Sequence, residues 1–154
     1  MNLMDYTIET GFLPQLKCES LEQVVAQLVD TLVVEGAVAG GADLVREVMR
    51  REVEGSTAVG GGLMIPHARY SPLAEVRIAV ATLAEPITGT AADNRPVDIV
   101  ILLIGPEGDP RQMLRVLARL ARLVKQGSFL DALRGAKTMP LLRNSFALAE
   151  QTAT

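Results

Sequence analysis

Residues 97–104 constrain the fold more than any other segment of this sequence. All of them except Asp98 are apolar, and most carry a branched β-carbon. A strand without alternation between apolar and polar positions is typical of a strand buried on both faces. Such a strand needs cover on both sides, so the sequence predicts an α/β fold in which helices cover a β-sheet.

The remaining elements follow from periodicity, capping residues and turn residues. Ser20 with Gln23 predicts a capped helix start, and Asp43 and Ser128 are predicted caps of two later helices. The predicted helices span 21–34, 43–53, 111–125, 129–134 and 139–148. The predicted strands span 63–65, 76–83 and 97–104, with an edge strand or irregular extended segment at 12–18. Residues 1–11 and 68–72 are expected to be irregular, and 88–96 to form a turn.

Composition excludes several classes of function. The 154 residues suit one domain over 1–154, and the net charge of -3 does not favour nucleic acid or an anionic membrane. Three Phe, two Tyr and no Trp are too few for base stacking. The longest apolar run, 99–104, is too short to span a membrane, and one histidine with one cysteine does not make a zinc site. We therefore expect a cytoplasmic protein with no metal, cofactor, nucleic-acid partner or membrane insertion.

Cys18, the single cysteine, has two interpretations. It is either a small buried apolar residue or half of a catalytic pair with His67, and the first is more common.

The segment 51–67 carries the features that predict chemistry. It places the only histidine, His67, after the glycine-rich stretch 55–62, a short apolar run and Pro66. Pro66 favours an extended conformation at Ile65, so the chain should enter His67 from a strand.

His67 and the glycines together predict a phosphohistidine site. A neutral imidazole can attack phosphorus through one ring nitrogen while the other donates the hydrogen bond that fixes the tautomer. Consecutive glycines let backbone N–H groups approach an anion closely. The predicted phosphoryl ligands are therefore the amides of Gly60, Gly61 and Gly62, with a nearby arginine.

Each of these features also has a simpler explanation. A lone histidine is more often structural, and a glycine run is equally typical of a flexible turn. The spacing of Gly55 and Gly60 resembles a P-loop, but Gly61 and Gly62 stand where its lysine and hydroxyl residue would follow. Nucleotide hydrolysis is therefore not expected.

The same stretch resembles the signature of a known family. Arg51-Glu52 followed by Gly55-Ser56-Thr57-x-Val59-Gly60-x-Gly62-x-x-Ile65-Pro66-His67 is similar to the motif of the type-2 enzyme IIA domains of the bacterial phosphotransferase system, the fructose, mannitol and nitrogen-regulatory group. The resemblance covers nearly the whole chain, including the helix after Ser20, the Arg-Pro-Val-Asp turn and strand that follows it, and the leucine-rich helix after Pro110.

The resemblance implies a mixed sheet flanked by helices, with His67 as phosphoacceptor. In the family, the donor is the histidine-containing phosphocarrier protein, and transport-linked members pass the group to a cysteine of enzyme IIB. Arg51 matches an arginine near the phosphorylation site, where it would counter phosphate charge. From the residues alone, Arg51 is equally well a helix-end cation or a surface residue.

Two departures from the family pattern bear on phosphoryl transfer. Many members carry a second histidine at the start of the long helix, and Met113 stands at that position. Methionine donates no hydrogen bond to a phosphoryl oxygen. Ala58 and Gly61 replace the usual glycine and asparagine of the loop, which keeps the loop small but removes a polar side chain.

The long helix carries Arg111, Arg115, Arg119 and Arg122 on roughly one face. This face is either a docking surface for an acidic partner or an ordinary solvated face opposite an apolar stripe.

Three hypotheses follow. The first is a phosphoryl carrier modified on His67 that passes the group to enzyme IIB. The second is a regulatory module in which the phosphoryl charge changes which target protein docks, favoured for a chain without a fused enzyme IIB. The third is a degenerate member that binds proteins without being phosphorylated, for which Met113 is the best support.

Overall fold

The computed structural model describes residues 1–88 and 96–152. In these ranges the chain forms six strands: β1 (Thr7–Leu16), β2 (Ala58–Gly60), β3 (Leu63–Met64), β4 (His67–Tyr70), β5 (Arg77–Ile87) and β6 (Val97–Pro106). They form one mixed sheet in the order β1-β5-β6-β3-β2, and β4 pairs with β6 beyond β3. β6 runs parallel to β3 and β4 and antiparallel to β5, while β1 is parallel to β5.

Helices cover both faces of this sheet, as predicted. A short 3-10 helix (Leu3–Tyr6) precedes α1 (Leu21–Val34), α2 (Gly41–Glu54), α3 (Pro110–Val124), α4 (Phe129–Gly135) and α5 (Met139–Thr152). The first two α-helices pack on one face and the last three on the other. In the part of the chain that the structure describes, no helix combines the length and apolar character needed to cross a membrane.

β6 is buried on both faces, which confirms the prediction for residues 97–104. Ile99, Ile101 and Leu103 pack under α3–α5, while Val100 and Leu102 pack under α1 and α2. All five are fully buried. The two apolar layers therefore meet along this one strand, which holds the sheet between the helices.

The N-terminal part of the chain is more regular than predicted. Residues 1–11 were expected to be irregular, but the 3-10 helix and the first half of β1 occupy them. β1 forms the predicted edge strand and begins at Thr7, earlier than expected. The tolerance of an edge strand for Pro14 explains why the sequence signal was weak there.

Three predicted helix starts differ in detail. Ser20 caps α1 by accepting from the amide of Gln23, but the Gln23 side chain accepts from the amide of Glu19 instead of Ser20. Gly40, and not Asp43, is the N-cap of α2; Asp43 lies in the first turn, where its charge still favours the helix N-terminus. Ser128 occupies the N-cap position of α4 without a side-chain capping bond.

Two further predictions concern loops. Residues 68–72 were expected to form a loop, but β4 extends through Tyr70 because its backbone pairs with β6. β2, inside the glycine-rich stretch, was not predicted. The turn predicted for 88–96 lies mostly outside the described residues.

Candidate functional site

His67 begins β4 at a break in the sheet. Pro66 separates β3 from β4, and both short strands pair with β6 in parallel. The Pro66 carbonyl accepts from the amide of Leu103 at 3.1 Å, and His67 lies opposite Leu103. The chain therefore enters His67 from a strand, as predicted, and the ring is half-buried.

The tautomer of His67 is fixed by its own backbone. Nδ1 lies 2.9 Å from the carbonyl oxygen of Ile65. A carbonyl only accepts hydrogen bonds, so Nδ1 carries the ring proton in the neutral imidazole and Nε2 keeps its lone pair. Among the described residues, no hydrogen bond is recorded for Nε2. The ring therefore presents Nε2 as its nucleophilic atom.

His67 faces the α3 side of the sheet. Side chains alternate along β4, and Ala68 and Tyr70 pack under α1 and α2. His67 and Arg69 must therefore point to the opposite side.

Met113 lies on the same side and close to the same strand end. It is 7% exposed, and a Cβ added to Gly105 would lie 2.7 Å from its Cε. Gly105 pairs with Arg69, and this pair lies two residues further along the strands than the pair of His67 and Leu103. The structure thus brings Met113 to the neighbourhood of His67, where its thioether supplies no hydrogen-bond donor.

Glu52 ties the loop after α2 to the strand that leads to His67. Its carboxylate accepts from the amide of Thr57 at 2.7 Å and also from the Thr57 hydroxyl. The Thr57 carbonyl in turn accepts from the amide of Ile65 at 3.3 Å. Because Ala58 pairs with Met64, this bond continues the β2–β3 ladder towards the histidine.

Ser56 lies one residue before Thr57 in the same loop. Its Oγ accepts from the amide of Ala58 at 3.2 Å, which leaves the O–H free to donate. Sequence reasoning did not propose Ser56 or Glu52 as site residues. The usable signal was their place in the stretch 51–67 that leads to His67.

Arg51 lies in the last turn of α2. Its Nε donates to Glu47 at 3.2 Å, and the side chain is 36% exposed. Arg50 holds the same carboxylate through Nε at 3.0 Å and Nη2 at 2.8 Å. The two guanidinium groups, Arg50 first, lower the pKa of Glu47 to about 2. Among the described contacts, none joins Arg51 to His67.

Gly60, Gly61 and Gly62 form the turn between β2 and β3, all at positive φ. Leu63 is opposite Ile99, whereas His67 is opposite Leu103. Five residues of extended chain, about 16 Å, therefore separate Gly62 from His67. The structure does not bring these amides to the histidine, so it gives no support to their predicted role as phosphoryl ligands.

Arg134 holds this glycine turn in place. Its Nε donates to Asp98 Oδ2 at 2.7 Å, and its Nη2 donates to the Gly61 carbonyl. A Cβ on Gly62 would lie 2.6 Å from Asp98 Oδ1 and 2.7 Å from Arg134 Nη2. The hydrogen bond to Asp98 raises the pKa of Arg134, so the guanidinium stays charged. This close packing therefore requires a glycine at position 62.

Cys18 does not pair with His67. It follows β1, and β5 and β6 lie between β1 and β4 in the sheet. The thiol is half-buried, receives a 3.4 Å contact from Gln27 Nε2, and has its pKa raised by burial. Cys18 is therefore less buried than the predicted small buried apolar residue.

The four arginines of α3 divide into two groups. Arg119 turns to Glu150 of α5, with Nη2 to Oε1 at 2.7 Å, and the Glu150 side chain is only 2% exposed. Arg111, Arg115 and Arg122 are exposed.

Comparison with known proteins identifies the class to which this fold and histidine belong. A family model described as "Phosphoenolpyruvate-dependent sugar phosphotransferase system, EIIA 2" matches residues 7–145. The chain belongs to this family, as its sequence predicted, and the membership supports the role of phosphoryl carrier.

Two relatives of this chain are named for nitrogen regulation. The chain is 32% identical over 156 aligned residues to a protein of Bradyrhizobium diazoefficiens named "Nitrogen regulatory protein", and the match covers 99% of each. A protein of the same name from Pseudomonas aeruginosa is 30% identical over 123 residues, 80% of each chain.

Solved structures agree on the fold. Nitrogen Regulatory Protein IIA-Ntr from Neisseria meningitidis superposes with a TM-score of 0.83 at 25% identity, covering 92% of this chain and 97% of that one. IIA mannitol from Escherichia coli superposes with a TM-score of 0.74 at 15% identity, covering 89% and 96%, which shows the shared fold alone.

Proposed function

We propose that this chain is a phosphoryl carrier of the nitrogen-regulatory type, modified on Nε2 of His67 by the histidine-containing phosphocarrier protein. The observation that carries the proposal is the 2.9 Å bond from Nδ1 to the Ile65 carbonyl, which leaves Nε2 as the nucleophile. Family membership and the similarity to proteins named nitrogen regulatory protein support the same role.

The transfer is a displacement at phosphorus. The Nε2 lone pair forms a bond to phosphorus as the bond from phosphorus to the donor's imidazole nitrogen breaks, and the donor keeps that electron pair. Positive charge develops on the His67 ring, and the Ile65 carbonyl stabilises it through the Nδ1 proton. No proton has to leave His67 in this step, so transfer depends mainly on positioning and charge.

Arg51 is our candidate for countering the phosphoryl charge. Its single bond to Glu47 is replaceable, because Arg50 holds that carboxylate with two further bonds. Arg51 can therefore turn to a phosphoryl group without leaving Glu47 unpaired. Guanidinium groups suit phosphate because their planar N–H groups match its oxygens.

Ser56 is the candidate neutral donor. Its O–H is free to donate, and Glu52 fixes the loop that carries it by holding the neighbouring Thr57. We assign to Ser56 part of the role that the sequence gave to Gly60, Gly61 and Gly62.

The partner is a regulatory target protein, and the added charge of about -1.5 to -2 on His67 changes its docking to this chain. The naming of the relatives as nitrogen regulatory proteins favours this over onward transfer to enzyme IIB. The Escherichia coli complex of enzyme IIAMTL and phosphorylated enzyme IIBMTL contains the same fold, so enzyme IIB is the alternative acceptor. The site of action is the cytoplasm.

A second candidate function is protein binding without phosphorylation. Met113 favours it, because a buried thioether at the position where many family members carry a second histidine offers no donor to a phosphoryl oxygen.

One experiment separates the two functions. The purified chain is incubated with phosphoenolpyruvate, enzyme I and the histidine-containing phosphocarrier protein, and its mass is measured. The carrier proposal expects one acid-labile phosphoryl adduct on the wild type and none on His67→Ala. A wild type without an adduct would establish the binding module instead. An adduct that persists in His67→Ala would contradict both assignments of the site.

A further inference from the structure

The outer face of α3 carries a line of arginines that the phosphoryl-transfer site does not use. Arg111, Arg115, Ala118 and Arg122 fall within about 60° of one another around the helix and extend over about 16 Å. We call these four residues the α3 arginine stripe. Arg119, which the sequence grouped with them, turns away to Glu150 and does not belong to it.

The stripe is locally cationic in a chain whose net charge is -3. No ion pair is recorded for its three arginines within residues 1–88 and 96–152, whereas Arg46, Arg50, Arg77 and Arg134 each pair with a carboxylate there. Their charges are therefore uncompensated by described neighbours, and they would attract an acidic surface over several ångströms.

A groove lies beside the stripe. It has a volume of about 260 Å³ and is lined by Met1, Arg115, Ala118, Arg119 and Arg122. Ala118 lets a partner approach the helix closely, because its side chain is small. The volume is below the range of about 300–1,000 Å³ typical of sites for drug-sized ligands, so the groove suits side chains of a docked protein better.

Leu114 distinguishes a protein partner from a nucleic acid. It is 66% exposed on the flank of the stripe, next to Arg115. Arginines mixed with exposed apolar side chains are typical of protein interfaces, whereas sites for nucleic-acid phosphates combine cations with polar groups. The few aromatic residues of the chain point the same way.

We infer that the α3 arginine stripe, with its groove and Leu114, is a docking surface for an acidic protein segment. The surface goes beyond the proposed phosphoryl transfer and does not require His67 to be modified. Acidic side chains of the partner would pair with Arg115 and Arg122 in the groove, and an apolar side chain would cover Leu114.

The test is fluorescence anisotropy with a labelled helical peptide of Glu, Leu and Ala as the probe. A peptide with Lys in place of Glu and a DNA duplex of matched length serve as comparison ligands. The chain variant is Arg115→Glu with Arg122→Glu. The matched control, Lys17→Glu with Arg46→Glu, makes the same change in net charge at exposed positions on other elements.

We expect the acidic peptide to bind at low salt, to weaken as salt rises, and to lose at least about tenfold in affinity in the α3 variant but not in the control. Circular dichroism checks that both variants are folded. The inference fails if the acidic peptide does not bind, if both variants bind alike, or if DNA binds more tightly with the same dependence on Arg115 and Arg122. None of these outcomes depends on phosphorylation of His67, so the proposed function is tested separately.

Discussion

The two ends of β6 are built in opposite ways. Where β6 begins, Arg134 pairs with Asp98 and reaches the carbonyl of Gly61, so the polar groups of the glycine turn have partners within the chain. Where β6 ends, Nε2 of His67 makes no hydrogen bond to the described residues, while Nδ1 is held by the Ile65 carbonyl. The first end is satisfied internally, whereas the second keeps a ring nitrogen available to a ligand.

Within this one motif, the glycine turn is held by contacts inside the chain, whereas the histidine keeps a free nucleophilic nitrogen. The glycines and the histidine stand close together in sequence, and both attract a functional interpretation. The sheet carries them about 16 Å apart, and only the histidine end retains a nucleophile.

The largest effect is expected at the glycine turn. Gly62→Ala forces a Cβ against Asp98 and Arg134 at a φ of +86°, so we expect a loss of about 2 kcal/mol in the free energy of unfolding. Urea denaturation measures it. Gly127→Ala is the matched control, since no atom lies within 4 Å of its added Cβ. A folded Gly62→Ala that lost phosphorylation while keeping its stability would return the glycines to the phosphoryl site.

Arg51→Ala should act in the opposite manner. Its side chain is partly exposed, so the unfolding midpoint should hardly move, while the rate of phosphorylation should fall about 10–100-fold because a countercharge is lost. Arg50→Ala is the control, because it removes a neighbouring arginine that has no assigned site role. Equal rates in the two variants would exclude Arg51 from the site.

Glu52→Ala should show a mixture of both effects. It removes the two bonds that hold Thr57, and we expect a loss of about 1–2 kcal/mol in stability and a slower transfer through the loosened loop. Hydrogen exchange at the Thr57 amide reports the loop directly. Glu54→Ala, two residues further along α2, controls for the loss of a carboxylate. Unchanged exchange at Thr57 would show that Glu52 does not fix the loop.

The smallest effect is a pH dependence at Glu47 of α2. The pKa of Glu47 is lowered to about 2, so its ion pairs stabilise the fold above its ordinary value of 4.5 and are lost as pH falls towards 2. Because the pair is exposed to solvent, the contribution is about 0.5 kcal/mol. Glu47→Gln should flatten the dependence of unfolding free energy on pH in that window. A slope equal to that of the wild type would show that the pairs contribute nothing.

The sequence predicted the layered fold well because its signals were strong where burial was strong. β6 and α1 carry apolar residues at nearly every position that faces the core, and their predicted bounds were close to those found. β2 and β4 were missed because each is short, and each exists through backbone pairing with a neighbour that periodicity cannot reveal.

The site was harder to predict than the fold. His67 was singled out because it is the only histidine and follows a proline. Arg134, which fixes the glycine turn, lies 36 positions from Asp98 in sequence, and no local pattern joins them. Register decided how far Gly60–Gly62 lie from His67, and register is a property of the paired strands.

The identity of the phosphorylated nitrogen tests the central claim most directly. The chain holds a single histidine, so ¹⁵N labelling of histidine gives an NMR spectrum of one imidazole. After phosphorylation, the account predicts that phosphorus is bonded to Nε2 and that Nδ1 still carries its proton, bonded to the Ile65 carbonyl. Phosphorus on Nδ1 would contradict the account, because that nitrogen would have had to give up the bond on which the proposed mechanism rests.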